Sequence, residues 1–242
     1  MLAAGSCQIV FAGEQLSLLP ERAVWWPAAR TLFIADLHLG KAATYRSLGQ
    51  PVPGGSTQEN LARIDRLIEA LAPLQIVFLG DFLHAAQART PSLLAVVADW
   101  SAGWSARWSA NWSAQCSADD SSAGRGLICT LVRGNHDKRA GDPPASLGFE
   151  LVDEPHLLGP YAACHHPQHH DTHAVLAGHL HPAIKLHGRG RDSLRMPCFV
   201  REGDALLILP AFGEFTGGWE VERRSDRRFY GVGAQAVWAL PT

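Results

Sequence analysis

Lysine is almost missing from this chain: of 21 basic residues only Lys41, Lys138 and Lys185 are lysine, and the rest are arginine. Against 23 acidic residues the formal net charge is −2, so bulk charge offers no attraction to a polyanion. The arginine excess suits phosphate recognition by planar guanidinium groups, but a GC-rich coding sequence gives the same skew along with abundant alanine and glycine, and with this net charge the coding bias is the favoured reading. Cysteine is sparse as well. Cys7, Cys116, Cys129, Cys164 and Cys198 are odd in number and contain no C-x-x-C pair, which excludes a zinc knuckle or a disulfide framework and fits reduced thiols. A long hydrophobic run is also lacking. Gly5, Gln8, Gly13, Glu14 and Gln15 interrupt the first 19 residues, which hold no basic residue, so neither a signal peptide nor a membrane helix is expected. These absences predict a cytoplasmic protein.

What is present is a globular composition, 47% hydrophobic and 18% charged over 242 residues, enough for one α/β domain to bury roughly 70% of its unfolded surface. Residues 31–35 (TLFIA) and 75–79 (QIVFL) are apolar runs ending in Asp36 and in Gly80-Asp81, and both read as buried strands. Between them Ser56-Thr57-Gln58-Glu59 has capping-box spacing, and Leu61, Ile64, Leu67, Ile68 and Leu71 recur at helical intervals. That is a β-α-β unit and hence a parallel sheet. A second helix follows Thr90-Pro91-Ser92, then a strand at 126–132, then closely spaced strands at 161–164, 174–177, 183–186, 198–200 and 205–209. The expectation is a two-sheet α/β sandwich with helices outside, one domain over 1–242. Residues 99–118 break the pattern with a four-residue repeat that places Trp100, Trp104, Trp108 and Trp112 along a drifting helical face. A tryptophan stripe can stack on bases. The simpler reading is an expanded repeat, an insertion at about 99–124, that prolongs the preceding helix and dissolves into the polar tract at 119–124.

Twelve histidines are the other excess, seven of them from His165 to His181. Five apolar runs end directly in metal-ligand residue types: Asp36-Leu37-His38, Gly80-Asp81, Gly134-Asn135-His136-Asp137, His165-His166-Pro167 and Gly178-His179-Leu180-His181. In open α/β sheets the carboxyl ends of strands line one crevice, so distant residues meet there. Asp36 with His38, and His179 with His181, are i, i+2 pairs that extended backbone would turn to one face. Carboxylate, amide and imidazole donors suit Mn, Fe or Zn better than an all-oxygen calcium shell.

This ordered set resembles the calcineurin-like metallophosphoesterases over residues 31–182. More narrowly, the segments ADLHLGK (35–41), LGDFLH (79–84), GNHD (134–137) and LPAFGEFTGG (209–218) resemble the bacterial ligase-associated DNA damage response endonucleases. The resemblance implies a four-layer α/β/β/α sandwich of two mixed sheets flanked by helices, and a manganese-dependent DNA endonuclease with Fe or Zn as alternative metals. Single-stranded or flapped DNA is the implied substrate, with an ATP-dependent DNA ligase, an Lhr-type helicase and an exonuclease as functional associates. It places Asp36, His38 and His181 on one metal, Asn135, His165 and His179 on the other, and Asp81 between them. The family's H-x-P form selects His165 over His166, leaving His166 for substrate or for support. Paired cations activate water at neutral pH and clamp both oxygens of an in-line displacement. His136 is the implied general acid for the leaving alkoxide, oriented by Asp137.

Lys41 and Arg46, on an expected loop over the crevice, are candidates to hold phosphates, and His84 to contact substrate or support Asp81. Arg223, Arg224, Arg227 and Arg228 alternate with acids and read as a solvated face; His169, His170 and His173 read as loop polarity, and Cys164 as a small buried hydrophobe. A phosphomonoesterase or small cyclic phosphodiesterase is the alternative on the same chemistry. A non-catalytic scaffold would predict eroded ligands, and every ligand position is filled.

Overall fold

The computed structural model describes residues 4–47, 49–51, 55–115, 126–188, 190 and 192–241, without the side chains of 47 and 104–115. The first sheet takes its strands in chain order: β1 (Cys7–Phe11), β2 (Glu14–Leu18), β3 (Ala23–Trp26), β4 (Thr31–Ala35), β5 (Gln75–Leu79), β6 (Ile128–Val132) and β7 (Glu150–Val152). Its first four strands are antiparallel neighbours, and β4 to β7 run parallel. The two expected central strands have the boundaries read from their apolar runs. Every residue of β4 is buried because the sheet is covered on both faces. Leu32 and Ile34 face the helices, whereas Phe33 and Ala35 face the second sheet.

Among the described residues four α-helices sit beside this sheet: α1 (Lys41–Ser47), α2 (Ser56–Leu71), α3 (Pro91–Gln115) and α4 (Asn135–Ala140). Leu61, Ile64 and Leu67 of α2 are buried, which is the expected amphipathic face. The capping box is not made. Gly55 leads into α2 in a left-handed conformation and no side chain caps the start, so Ser56 is already helical. Helix α3 continues through the repeat to Gln115. Trp100 is only 8% exposed, and its Nε1–H donates to Asp65 Oδ1 on α2 at 2.8 Å, so it serves as core. The side chains of Trp104, Trp108 and Trp112, together with Cys116 and the tract 119–124, lie outside the described residues.

The second sheet holds β8 (His156–Leu158), β9 (Tyr161–Ala163), β10 (Ala174–Ala177), β11 (Pro182–His187), β12 (Ser193–Glu202), β13 (Leu206–Ile208), β14 (Trp219–Glu220), β15 (Arg227–Val232) and β16 (Val237–Ala239). Its order is β14-β11-β12-β13-β10-β9-β8, with β15 joining β12 to β16. Parallel and antiparallel pairs occur in both sheets, as the expected mixed sandwich requires. Between the sheets Tyr161 stacks on Phe11 at 5.9 Å and meets the edge of Trp26 at 5.0 Å, and its hydroxyl donates to the Phe11 carbonyl at 3.0 Å. Each such fully buried large side chain contributes about 1.5–3 kcal/mol.

Among the described residues every helix lies on the side of the first sheet, and the buried cluster on the outer face of the second is made of strand and loop residues such as Ile184, Val221 and Phe229. Cys164 is fully buried in that cluster. Arg224 pairs with Asp226 at 2.6 Å at the exposed entry to β15, as a solvated face would. Among the described residues no helix is long and apolar enough to cross a membrane.

Candidate metal centre

The loops that carry metal-ligand residue types leave the carboxyl ends of β4, β5, β6, β9 and β10, and they interlock through backbone bonds. His38 N–H donates to the Asp81 carbonyl at 2.8 Å, Leu39 N–H to the Phe82 carbonyl at 2.9 Å, and His84 N–H back to the Leu39 carbonyl at 3.1 Å. Across the sandwich, His179 N–H donates to Asp36 Oδ2 at 2.8 Å. The i, i+2 pairs do not converge by extended backbone. Asp36, His38, Asp81, His179 and His181 all have left-handed φ, from 47° to 70°. Asp and His tolerate that region better than most residues, and holding several there stores strain that the surrounding packing must overcome.

Seven side chains meet in consequence. His38 Nε2 lies 3.1 Å from His181 Nε2 and 3.7 Å from Asp81 Oδ2. His165 Nε2 lies 2.9 Å from Asn135 Oδ1, 3.0 Å from His179 Nδ1 and 3.5 Å from Asp81 Oδ1. Asp36 joins the sets: its Oδ1 is 3.5 Å from His181 Nε2 and 3.8 Å from His165 Nδ1, yet is fully buried without a hydrogen-bond partner. Two buried carboxylates and facing imidazole nitrogens are costly unless something positive lies among them. Burial first, then the charge of His181, hold His38 far below the usual histidine range, so its ring keeps a free lone pair. Burial, joined by Asp36 and opposed by His165, holds Asp81 above the usual carboxylate range. Orphaned oxygen, inward-facing imidazole nitrogens and an amide oxygen fit divalent cations.

The other nitrogens of two of these rings are pinned by backbone. His165 Nδ1 faces the Leu79 carbonyl at 3.0 Å, and His181 Nδ1 faces the Thr216 carbonyl at 3.1 Å; a proton on each Nδ1 turns the Nε2 lone pair inward. Glu154, missed in the sequence, accepts the backbone N–H groups of His165 and His166 at 2.8 and 2.9 Å and holds His166 Nδ1 at 2.7 Å. His166 therefore sits beside His179, ring centroids 4.4 Å apart, with its ring directed by a carboxylate. Nothing local marks Glu154, whereas Thr216 lies within the quoted 209–218 segment.

Asp137 does not orient the His136 ring. Its buried carboxylate accepts N–H groups from Asp81 at 2.7 Å, Phe82 at 3.0 Å, Leu83 at 3.4 Å and Gly134 at 3.0 Å, stitching the Asp81 loop to the start of α4. Burial pushes this carboxyl up to about 6, against the pull of those amides. The carbonyl of His84 takes over the expected role by accepting from His136 Nδ1, while the two rings stack at 5.3 Å. His136 Nε2 points inward, 3.9 Å from Asp81 Oδ2. Burial, then the charges of Lys41 and His136, bring His84 down to about 4, so it is neutral at pH 7. Asp137→Asn leaves one oxygen for four donors and should cost about 3 kcal/mol in urea unfolding. A loss below about 1 kcal/mol would contradict the stitching role.

Lys41 and Arg46 are not on a loop: Lys41 opens α1 and Arg46 lies in its last turn. Lys41 is 8% exposed, with Nζ 3.5 Å from the Thr216 carbonyl, and burial lowers its ammonium while Asp36 and Asp81 pull it back up. Arg46 is exposed on the last turn. Two glycines allow the crowding. A Cβ on Gly80, which has φ +79°, would meet His165 Nδ1 at 2.2 Å, and one on Gly134 would meet Asp81 Oδ1 at 2.3 Å.

Fold and donor set together define a metal-dependent phosphoester hydrolase. The calcineurin-like phosphoesterase pattern matches residues 29–168. The chain is 45% identical to Pseudomonas putida nuclease MPE over 97% of this chain and 100% of that one, with a TM-score of 0.77 between the structures. It is 12% identical to YfcE, a phosphoesterase from E. coli, over 86% of this chain and 95% of that one, with a TM-score of 0.38. No curated protein matches it. The chain belongs to the calcineurin-like phosphoesterase family.

Proposed function

We propose that this protein is a binuclear-metal DNA endonuclease of DNA repair, cutting single-stranded or flapped DNA with Mn²⁺, for which Fe or Zn are the alternatives. The observation that carries the reading is the 45% identity to a protein named a nuclease across nearly the whole chain. A filled donor set supports it. Asp36, His38 and His181 would hold one ion, Asn135, His165 and His179 the other, with Asp81 facing both. When bound, the two ions supply Lewis-acid neutralisation of the phosphoryl oxygens and activation of a water nucleophile.

The chain's own residues do the rest. His136 keeps Nδ1 on the His84 carbonyl, so the proton it can release to the leaving alkoxide is on Nε2, the nitrogen facing the crevice. Asp137 keeps that ring in place indirectly, by fixing the backbone on which His136 and Asp81 stand. Lys41 brings a cation beside Asp36 and Asp81, suited to a phosphate oxygen, while Arg46 at the far end of α1 is placed for a more distant phosphate. His166 is turned by Glu154 toward the rim beside His179, as a substrate contact. The cytoplasmic setting rests on the sequence's lack of a signal peptide and of paired cysteines, and association with an ATP-dependent ligase, an Lhr-type helicase and an exonuclease rests on the family resemblance.

The test incubates purified protein and Mn²⁺ with single-stranded and flapped oligonucleotides. Internal cleavage lost on chelation and restored by Mn²⁺ is expected. Intact DNA alongside rapid hydrolysis of aryl phosphomonoesters or cyclic nucleotides would replace this reading with the alternative.

A further inference from the structure

A groove leaves the metal centre at His181. Beside His181 opens a cavity of about 170 Å³ lined by Gly217 and Gly218 with Arg22, Arg195 and Met196. A neighbouring cavity of about 520 Å³ shares Arg22, Arg195 and Met196 and runs on to Arg63 and Arg66 of α2. The floor stays open because Gly218 has no side chain: a Cβ there would meet Ala183 at 2.9 Å and approach Arg195 Nη2 at 3.5 Å.

Four guanidinium groups line this path, in a chain whose net charge is −2. Arg22 and Arg63 both lie 2.8 Å from the single carboxylate of Glu214 behind the lining, and Glu21 is the one acid among the described lining residues, so positive charge is in excess. Arg195 and Arg66 are exposed. Guanidinium forks match phosphate oxygens, and successive cations along a groove match successive phosphates. Phe215 and Trp219, 45% and 70% exposed, flank the glycines and offer faces on which unpaired bases stack. A small phosphate ester in the metal centre leaves the groove empty.

We infer that the groove binds the phosphate backbone of a single nucleic-acid strand running from the metal centre past Arg195 to Arg66, which makes these two arginines determinants of substrate class. This inference rests on the nuclease reading. The test compares kcat/KM for a single-stranded oligonucleotide with kcat/KM for bis(p-nitrophenyl) phosphate in Arg195→Glu and Arg66→Glu. The ratio of the two should fall about tenfold or more in each variant, chiefly through KM on the oligonucleotide. In Arg195→Ala the slope of log(kcat/KM) against log salt should fall by about 0.7 for the lost phosphate contact. Arg228→Glu makes the same change of charge outside the groove and should leave the ratio unaltered. If the wild type cuts the oligonucleotide and both groove variants keep its ratio, or if Arg228→Glu lowers the ratio equally, the groove is overturned and the nuclease reading stands. A wild type that hydrolyses the aryl ester and leaves the oligonucleotide intact overturns both.

Discussion

Asp81→Asn should lower kcat on bis(p-nitrophenyl) phosphate by about 10³-fold and take bound metal from two ions per chain to one or fewer. Asp81 faces both proposed ligand groups with separate oxygens, one 3.5 Å from His165 Nε2 and the other 3.7 Å from His38 Nε2. Asparagine keeps an oxygen to accept the His136 backbone N–H, now 2.9 Å from Asp81 Oδ1, and tolerates the φ of 52° at this position. The variant should therefore fold, and the loss belongs to charge alone. Metal content by mass spectrometry, read with the rate, separates the outcomes. Two ions retained with kcat within about tenfold of wild type would remove Asp81 from its place between the ions.

His136→Ala should discriminate between leaving groups. A DNA alkoxide needs a proton as it departs, whereas p-nitrophenolate does not, so the loss should be about 10²–10⁴-fold on DNA and well below that on the aryl ester. The geometry supports an acid in this position: the ring is braced against His84, its Nδ1 is engaged by a carbonyl, and Nε2 is directed toward Asp81. A side chain that only shaped the pocket would affect both substrates alike. Equal losses would therefore assign His136 to positioning.

Much of the frame was legible because buried parallel strands write themselves as uninterrupted apolar runs. TLFIA and QIVFL became β4 and β5 with no change of boundary. The N-terminal strands were not seen, since Gln8, Gln15 and Ser17 look like interruptions. In the sheet Gln8 pairs opposite Ser17 and the two side chains bond at 2.9 Å, so the polar residues are partners across a ladder. Strand β12 was read as three residues because Arg195, Pro197 and Arg201 break its run. Its length comes from pairing with β11, β13 and β15, which no local pattern records. At the site, residue types announced the chemistry, but the way they meet was invisible: the turns are left-handed where extended backbone was expected, and the Asp137 carboxylate goes to backbone amides whose positions depend on another loop.

Those left-handed turns also decide how the centre can be redesigned. Anyone retuning its metal preference would begin by exchanging donors, for instance cysteine for His179 or glutamate for His181. Both positions have positive φ, 70° and 48°, where a new side chain must first be tolerated by the main chain before it can reach an ion. Asparagine and aspartate are the replacements that meet this demand best, so the accessible variants of the centre are oxygen-rich ones, and softer, sulfur-bearing variants would require the turns themselves to be rebuilt.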